Sequence, residues 1–86
     1  MAKTVFKYRA HASAQVPAGA KSVLVGHQDR VLTVWLEVDF DAPKVHTDFV
    51  VFGTGHKIPE GFVHCGSWID DSLGPFVWHL YMRQVS

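Results

Sequence analysis

The residues best suited to chemistry lie in one short loop, Gly53-Thr54-Gly55-His56. Two glycines that flank a threonine allow the backbone to bend sharply and to present consecutive N–H groups, and such a nest can hold a phosphate or a carboxylate. Thr54 adds a hydroxyl, and His56 adds a hydrogen-bond donor or a titratable cation. The loop lacks the Gly-Lys-Ser/Thr ending and the following helix of a P-loop. The sequence therefore predicts either an anion-binding loop or a turn whose glycines only satisfy positive φ angles.

A second candidate surface lies near the C-terminal end. His79, Tyr81 and Arg83 alternate with apolar residues, so a strand would place them on one face. Tyrosine and arginine anchor many binding contacts, and this mixed face is therefore predicted to belong to a ligand site or an interface. The opposite face is predicted to be core and carries Phe76, Trp78, Leu80 and Met82.

Histidine is frequent in this chain, and its six positions are His11, His27, His46, His56, His64 and His79. A zinc site needs three or four ligands that converge in space, and no pair here has a tight His-x-His spacing. His64 and Cys65 are adjacent on a predicted strand and would point to opposite faces. His64 and His79 could still meet across paired strands. We expect neither a metal nor a cofactor.

A catalytic group could be assembled from Ser67, His79 and either Asp70 or Asp71, but their spacing matches no nucleophile elbow. Cys65 with His64 or His56 is equally unspecific. The sequence favours a protein that is not an enzyme. A small metal- or histidine-dependent hydrolase stays open as an alternative.

Strands must position all of these residues. Alternation of apolar and polar residues is clearest over 31–40, and apolar residues nowhere recur at helical spacing over three turns. Residues 12–21 are expected to form a loop, residues 28–30 a hairpin turn, and Pro59-Glu60 at most one helical turn. We predict an all-β single domain over residues 1–86, with about six short antiparallel strands in a small barrel or sandwich. A two-layer sheet that pairs between subunits is the alternative. The predicted strands are 3–10, 22–27, 31–40, 46–52, 62–69 and 76–84.

Charge and composition narrow the classes of function and the cellular setting that we expect. Lysine and arginine balance aspartate and glutamate at 8 against 8, so the cationic surface that non-specific nucleic-acid binding requires is missing, and nucleic acid is an unlikely partner. One cysteine permits no internal disulfide, which fits a reducing cytosol. We find no signal peptide and no apolar run near the ~18 residues of a membrane span, and we expect a cytoplasmic protein. Apolar residues make up 48% of a short chain, which favours a homo-oligomer.

Five sequence blocks resemble a family of small uncharacterised proteins found in tailed bacteriophages and in bacterial genomes. Two of the blocks are specific, Phe52-Gly-Thr-Gly-His56-x-Ile-Pro59 and Gly74-Pro-Phe-Val-Trp-His79. The others are Thr4-Val-Phe-Lys-Tyr8, Val16-Pro-Ala-Gly-Ala-Lys21, and Leu32-x-x-Trp35 with Val38-Asp39. The resemblance covers almost the whole length and implies a phage or bacterial cytosolic setting.

Two non-enzymatic functions follow from these observations. The first is binding of a small anionic or nucleotide-derived ligand, of which a counter-defence protein that sequesters signalling nucleotides is the concrete form. Its predicted site residues are Gly53, Thr54, Gly55, His56, His79, Tyr81 and Arg83. The second is a protein-binding inhibitor or adaptor that acts on a host defence complex through the aromatic and His/Arg face.

Overall fold

Two antiparallel sheets face each other in a computed structural model, which describes residues 2–72 and 74–85. A three-stranded sheet has the order β1-β4-β3, and a four-stranded sheet has the order β2-β5-β7-β6. The sheets do not close into a barrel, so of the two predicted forms the sandwich is confirmed, and no helix occurs in the described part of the chain. The strands are β1 (Lys3–Arg9), β2 (Ala14–Pro17), β3 (Lys21–Gln28), β4 (Val31–Asp39), β5 (Lys44–Gly53), β6 (Val63–Asp70) and β7 (Phe76–Val85).

The core lies between the two sheets, and alternate residues of β4 and β7 form its centre. Leu36 and Leu80 are fully buried, and burial of a leucine side chain stabilises the fold by about 1.5–3 kcal/mol. The alternation predicted for residues 31–40 is confirmed with two exceptions. Phe40 follows the end of β4 and is 52% exposed, and Thr33 on the other face is buried. The buried apolar residues are Ala10, Val16, Ala20, Val34, Leu36, Val38, Phe49, Leu80 and Met82.

The predicted hairpin between β3 and β4 is confirmed. Gln28 pairs with Val31, and the two residues between them, Asp29 and Arg30, have φ angles of 51° and 67°. Two consecutive left-handed residues are the mark of a type I′ turn, whose twist matches that of the flanking strands.

The expected loop over residues 12–21 is wrong in part, because it contains β2. This strand has only four residues, and it pairs with β5 at the edge of the four-stranded sheet. Four residues are too few to show an alternating pattern. Pro17 usually indicates the end of a strand, but an edge strand such as β2 tolerates proline.

A corner where β3 contacts β6 joins the two sheets. The Ser22 hydroxyl donates to the Cys65 carbonyl at 2.7 Å. Gly66 meets Val25 so closely that a Cβ on residue 66 would lie 2.7 Å from Val25 Cγ2. The register of β3 shifts between Ser22 and Leu24, and that of β6 shifts between His64 and Gly66. Each shift is a β-bulge, which adds one residue to a strand and bends it.

No helix among the described residues is long and apolar enough to cross a membrane.

Candidate functional site

The Gly-Thr-Gly-His loop forms a tight turn that begins at the end of β5. The His56 N–H donates to the Gly53 carbonyl at 3.1 Å, and the Gly53 N–H donates to His56 Nδ1 at 3.2 Å. Gly55 has a φ of +90°, a backbone conformation that glycine adopts more easily than other residues. At position 53 glycine is favoured for a different reason, namely lack of space. A Cβ there would lie 3.2 Å from the His56 ring and 3.3 Å from the Trp78 ring.

This turn changes the chemistry that the loop offers. Two of the N–H groups that could have held an anion, those of Gly53 and His56, are engaged within the turn itself. Since Nδ1 of His56 accepts a hydrogen bond, the neutral ring carries its proton on Nε2. The hydrogen-bond donor that the loop offers to a ligand is therefore the imidazole N–H of His56, and the backbone nest predicted from the sequence is partly used up within the turn.

A cleft of about 410 Å³ lies between this turn and the start of β7. Its aromatic wall is made by Phe76 and Trp78, whose rings stack with centroids 5.9 Å apart and planes at 27°. The lining residues are Gly53, Thr54, His56, Pro75, Phe76, Val77 and Trp78.

The core prediction for this face of β7 is correct for Leu80 and Met82 and wrong for Phe76. Phe76 is 48% exposed and Trp78 is half-buried. Phe76 is the first residue of β7 and pairs with Asp70, the last residue of β6, so it lies at the end of the sheet where the cleft opens. The aromatic residues at this end form a wall of the cleft.

Four polar side chains form a hydrogen-bonded row on the outer face of the four-stranded sheet, and we call it the outer row. Its members are Thr54, His79, Ser67 and His64. His79 Nε2 lies 3.0 Å from Thr54 Oγ1, and His79 Nδ1 lies 2.6 Å from Ser67 Oγ. Ser67 Oγ also lies 2.9 Å from His64 Nε2. Thr54 belongs both to this row and to the lining of the cleft.

The bulge in β6 makes the outer row possible. Positions 64 and 67 differ by an odd number, so a regular strand would place their side chains on opposite faces. The extra residue between His64 and Gly66 restores the pairing, with His64 opposite Tyr81 and Ser67 opposite His79. The predicted meeting of His64 and His79 across paired strands is confirmed, with ring centroids 6.4 Å apart.

Tyr81 and Arg83 share the outer face with His79 but do not line the cleft. The Tyr81 ring lies 5.1 Å from that of His64. Arg83 is engaged with other groups: its guanidinium lies 4.7 Å from the centre of the Phe62 ring, and it donates to Asp48 at 3.4 Å. The structure therefore brings together Gly53, Thr54, His56 and, through Thr54, His79, while Tyr81 and Arg83 lie farther along the sheet.

Asp48 accepts hydrogen bonds from His46 and Arg83 on this face. A hydrogen bond from His46 at 2.8 Å, with a weaker one from Arg83, keeps the pKa of the Asp48 carboxyl below its usual value. The Arg83 Nε atom is buried and finds no hydrogen-bond partner among the described residues.

The other catalytic candidates are placed elsewhere or are inert. Asp70 accepts from the backbone N–H and the hydroxyl of Ser72, and these hydrogen bonds lower the pKa of Asp70. Burial raises the pKa of the Cys65 thiol to about 11, so it is not a thiolate nucleophile near neutral pH. In residues 2–72 and 74–85, no three histidine, cysteine, aspartate or glutamate side chains are placed to hold a metal ion.

Sequence reasoning missed the cleft-lining role of Phe76. Gly74 and Pro75 directly precede Phe76 and mark the start of its strand, but the exposure of the ring depends on where the facing sheet ends, which no local signal in the sequence reveals.

The fold and the site define a small antiparallel β-sandwich with a cleft at one end and a polar row on one outer face. The chain belongs to the family described as "Domain of unknown function (DUF7352)", whose model matches residues 1–86. No curated protein and no solved structure shows a significant match to the chain.

Proposed function

We propose that this domain binds a small ligand that carries a flat ring and an anionic or hydrogen-bond-accepting group, and that it does so without chemical change. The observation that carries the proposal is the cleft, which Phe76 and Trp78 line together with Thr54 and His56. A volume of about 410 Å³ falls within the range of small-molecule sites, which also combine apolar walls with a few polar groups.

Each wall of the cleft has a separate task. The exposed ring of Phe76 offers a stacking surface to a base or another aromatic ring. His56 also lines the cleft, and it carries its ring N–H on Nε2 because Nδ1 accepts from Gly53. Thr54 is held by His79 at 3.0 Å, which fixes the position of its hydroxyl beside the cleft. A nucleoside phosphate has the ring and the anion that this arrangement suits.

The finer form of the proposal is a phage or bacterial protein that sequesters a signalling nucleotide. It is supported by the phage-like sequence blocks, two of which supply the cleft residues Gly53, Thr54, His56, Phe76 and Trp78.

A titration with adenosine monophosphate, phenyl phosphate and inorganic phosphate tests the proposal by calorimetry. We expect the two ring-bearing probes to bind more tightly than inorganic phosphate. Loss of a stacked base costs about 1–3 kcal/mol, so Phe76→Ala should weaken binding roughly 5- to 150-fold. His56→Ala should also weaken it, and Gly55→Val should do so through the strained turn.

Matched controls are available in the same chain. Phe40 is exposed to a similar extent and lies outside the cleft, and His11 is an exposed histidine. Phe40→Ala and His11→Ala should bind as the wild type does. Equal affinity of all variants, or binding of none of the probes, would show that the cleft is not the ligand site.

A protein partner is the second candidate function, and exposed apolar residues on the edge strands β3 and β6 favour it. Val23 and Leu24 are 54% and 57% exposed, and Val63 and Ile69 are 60% and 69% exposed. Edge strands that expose apolar side chains can pair with another chain, either a second copy or a host protein. Sedimentation equilibrium of wild type and of Leu24→Lys distinguishes self-association, which the lysine should abolish, from a monomer that needs another partner.

A further inference from the structure

We propose that Ser67 is a nucleophile activated by His79, and that it takes an acyl group from small activated esters and passes it to water. This activity differs from ligand binding in the cleft, with which the outer row shares only Thr54. It rests on the outer row, where Ser67 Oγ lies 2.6 Å from His79 Nδ1 and 2.9 Å from His64 Nε2. A serine within hydrogen-bond reach of an imidazole that a third group orients is the arrangement that nucleophilic catalysis requires.

The hydrogen bonds run in one direction along the row. The Thr54 hydroxyl donates to the Val77 carbonyl, at 3.4 Å, so its oxygen accepts from His79 Nε2–H. With the proton on Nε2, the lone pair of His79 Nδ1 faces the Ser67 hydroxyl and accepts its proton. Thr54 therefore orients the base by fixing its tautomer, which is the task of the third member in a catalytic triad.

His64 completes the site from the other side of the serine. Because Ser67 donates to His79, its oxygen accepts from His64 Nε2–H. We assign to the same N–H the further task of donating to the carbonyl oxygen that becomes negative when Ser67 attacks, because a donor beside the nucleophile can stabilise the oxyanion. The bulge in β6 places His64 and Ser67 on one face, and bulges often re-aim side chains beside active sites.

The reaction balances with water as the only co-reactant. Ser67 Oγ bonds to the carbonyl carbon while its proton moves to His79 Nδ1. The bond from that carbon to the leaving oxygen then breaks, and His79 returns the proton to the alcohol. Water, deprotonated by His79, attacks the acyl-serine, which releases a carboxylic acid and restores the Ser67 hydroxyl.

The surroundings of Ser67 select a small uncharged ester. Ile69 and Val77 form the next pair along the outer face, and Ile69 is 69% exposed, so an apolar acyl chain can rest on it. The nearest arginine on this face of β7, Arg83, is engaged by Asp48 and Phe62. An acyl ester therefore suits the site better than a phosphoryl ester.

Incubation of the full chain with p-nitrophenyl acetate tests the proposal. Release of p-nitrophenolate measures acylation, and mass spectrometry of the intact and digested protein locates the acetyl group. We expect one acetyl per chain on Ser67, followed by its slow loss in water. Ser67→Ala should abolish the label, and His79→Ala should slow acylation roughly 100-fold or more, since a general base contributes about 10²–10⁴-fold.

Ser72→Ala is the matched control, because the Ser72 hydroxyl donates to Asp70 and contacts no imidazole in the described structure. It should acylate as the wild type does, and circular dichroism should show every variant folded. The proposal is overturned if the acetyl group is found on a histidine or a lysine instead of Ser67. It is also overturned if the wild type releases p-nitrophenolate no faster than the urea-unfolded chain.

The positioning role assigned to Thr54 has its own readout. Thr54→Val removes the acceptor of His79 Nε2–H, so kcat should fall while KM is unchanged. Thr54→Ser keeps the hydroxyl and should restore kcat. A valine variant with wild-type kcat would exclude the role of Thr54 in orienting His79.

Discussion

Replacement of Gly66 by alanine should destabilise the fold more than other glycine substitutions in its strands. A Cβ at residue 66 would lie 2.7 Å from Val25 Cγ2 and 2.9 Å from Val25 Cβ, whereas carbon atoms in contact are about 3.5–4.0 Å apart. Rotation of the valine can move Cγ2 but not Cβ, because the backbone fixes Cβ. The two sheets must therefore separate at this corner.

The magnitude follows from this geometry. Overpacking that forces the backbone to move costs about 1–3 kcal/mol, and the fixed Cβ places Gly66→Ala near the upper end, at about 2–3 kcal/mol. Equilibrium unfolding in urea, followed by tryptophan fluorescence, measures this loss. Trp68 is packed against the core and reports on β6 directly.

Gly26→Ala is the matched control. Gly26 also lies in a strand of this corner, β3, but a Cβ there meets nothing within 4 Å, and its φ is not positive. It should leave stability unchanged or raise it by up to about 1 kcal/mol.

A double-mutant cycle supplies the refutation. In a Val25→Ala background the contact with Cγ2 is absent and the Cβ contact at 2.9 Å remains, so the cost of Gly66→Ala should fall but not vanish. If Gly66→Ala costs the same in both backgrounds, or no more than Gly26→Ala, the contact between the sheets is not what requires glycine.

Two further predictions concern the thiol and the β3–β4 turn. Burial raises the pKa of Cys65 to about 11, so alkylation by iodoacetamide should be slow at pH 8. The alkylation rate should still increase above pH 10, where the rate of a free cysteine no longer changes. A rate that reaches its plateau by pH 9 would contradict this. Arg30 has a φ of 67°, and a residue other than glycine in this left-handed conformation costs about 1–2 kcal/mol of stability. Arg30→Gly should therefore raise the free energy of unfolding by roughly 1 kcal/mol in the same urea assay. A loss of stability would refute the turn assignment.

The sequence predicts the strands that alternate and misses what depends on their partners. Residues 31–40 show their apolar face because one side of β4 is buried and the other is more open. β2 escapes notice because four residues ending in Pro17 hold too little pattern. The exposure of Phe76 could not be foreseen either, since it depends on where the facing sheet ends.

The outer row lies beyond sequence reasoning for a related reason. Strict alternation separates His64 from Ser67, and only the bulge at Cys65, fixed by pairing with β7, brings them to one face. Thr54 and His79 are 25 residues apart. The loop itself was identified from its glycines and histidine, but His56 satisfies the turn with one ring nitrogen, and nothing local in the sequence reveals that contact.

The order of strands in the two sheets has a consequence for how the chain folds. The β3–β4 and β6–β7 hairpins join neighbouring strands, whereas β1 pairs with β4 and β2 pairs with β5. Loop closure delays such distant pairings, so we expect the hairpins to form first and β1 to wait for β4 during synthesis. A strand that has not yet paired can aggregate with other chains, and charged side chains on the strand oppose this. β1 carries three such side chains, Lys3, Lys7 and Arg9.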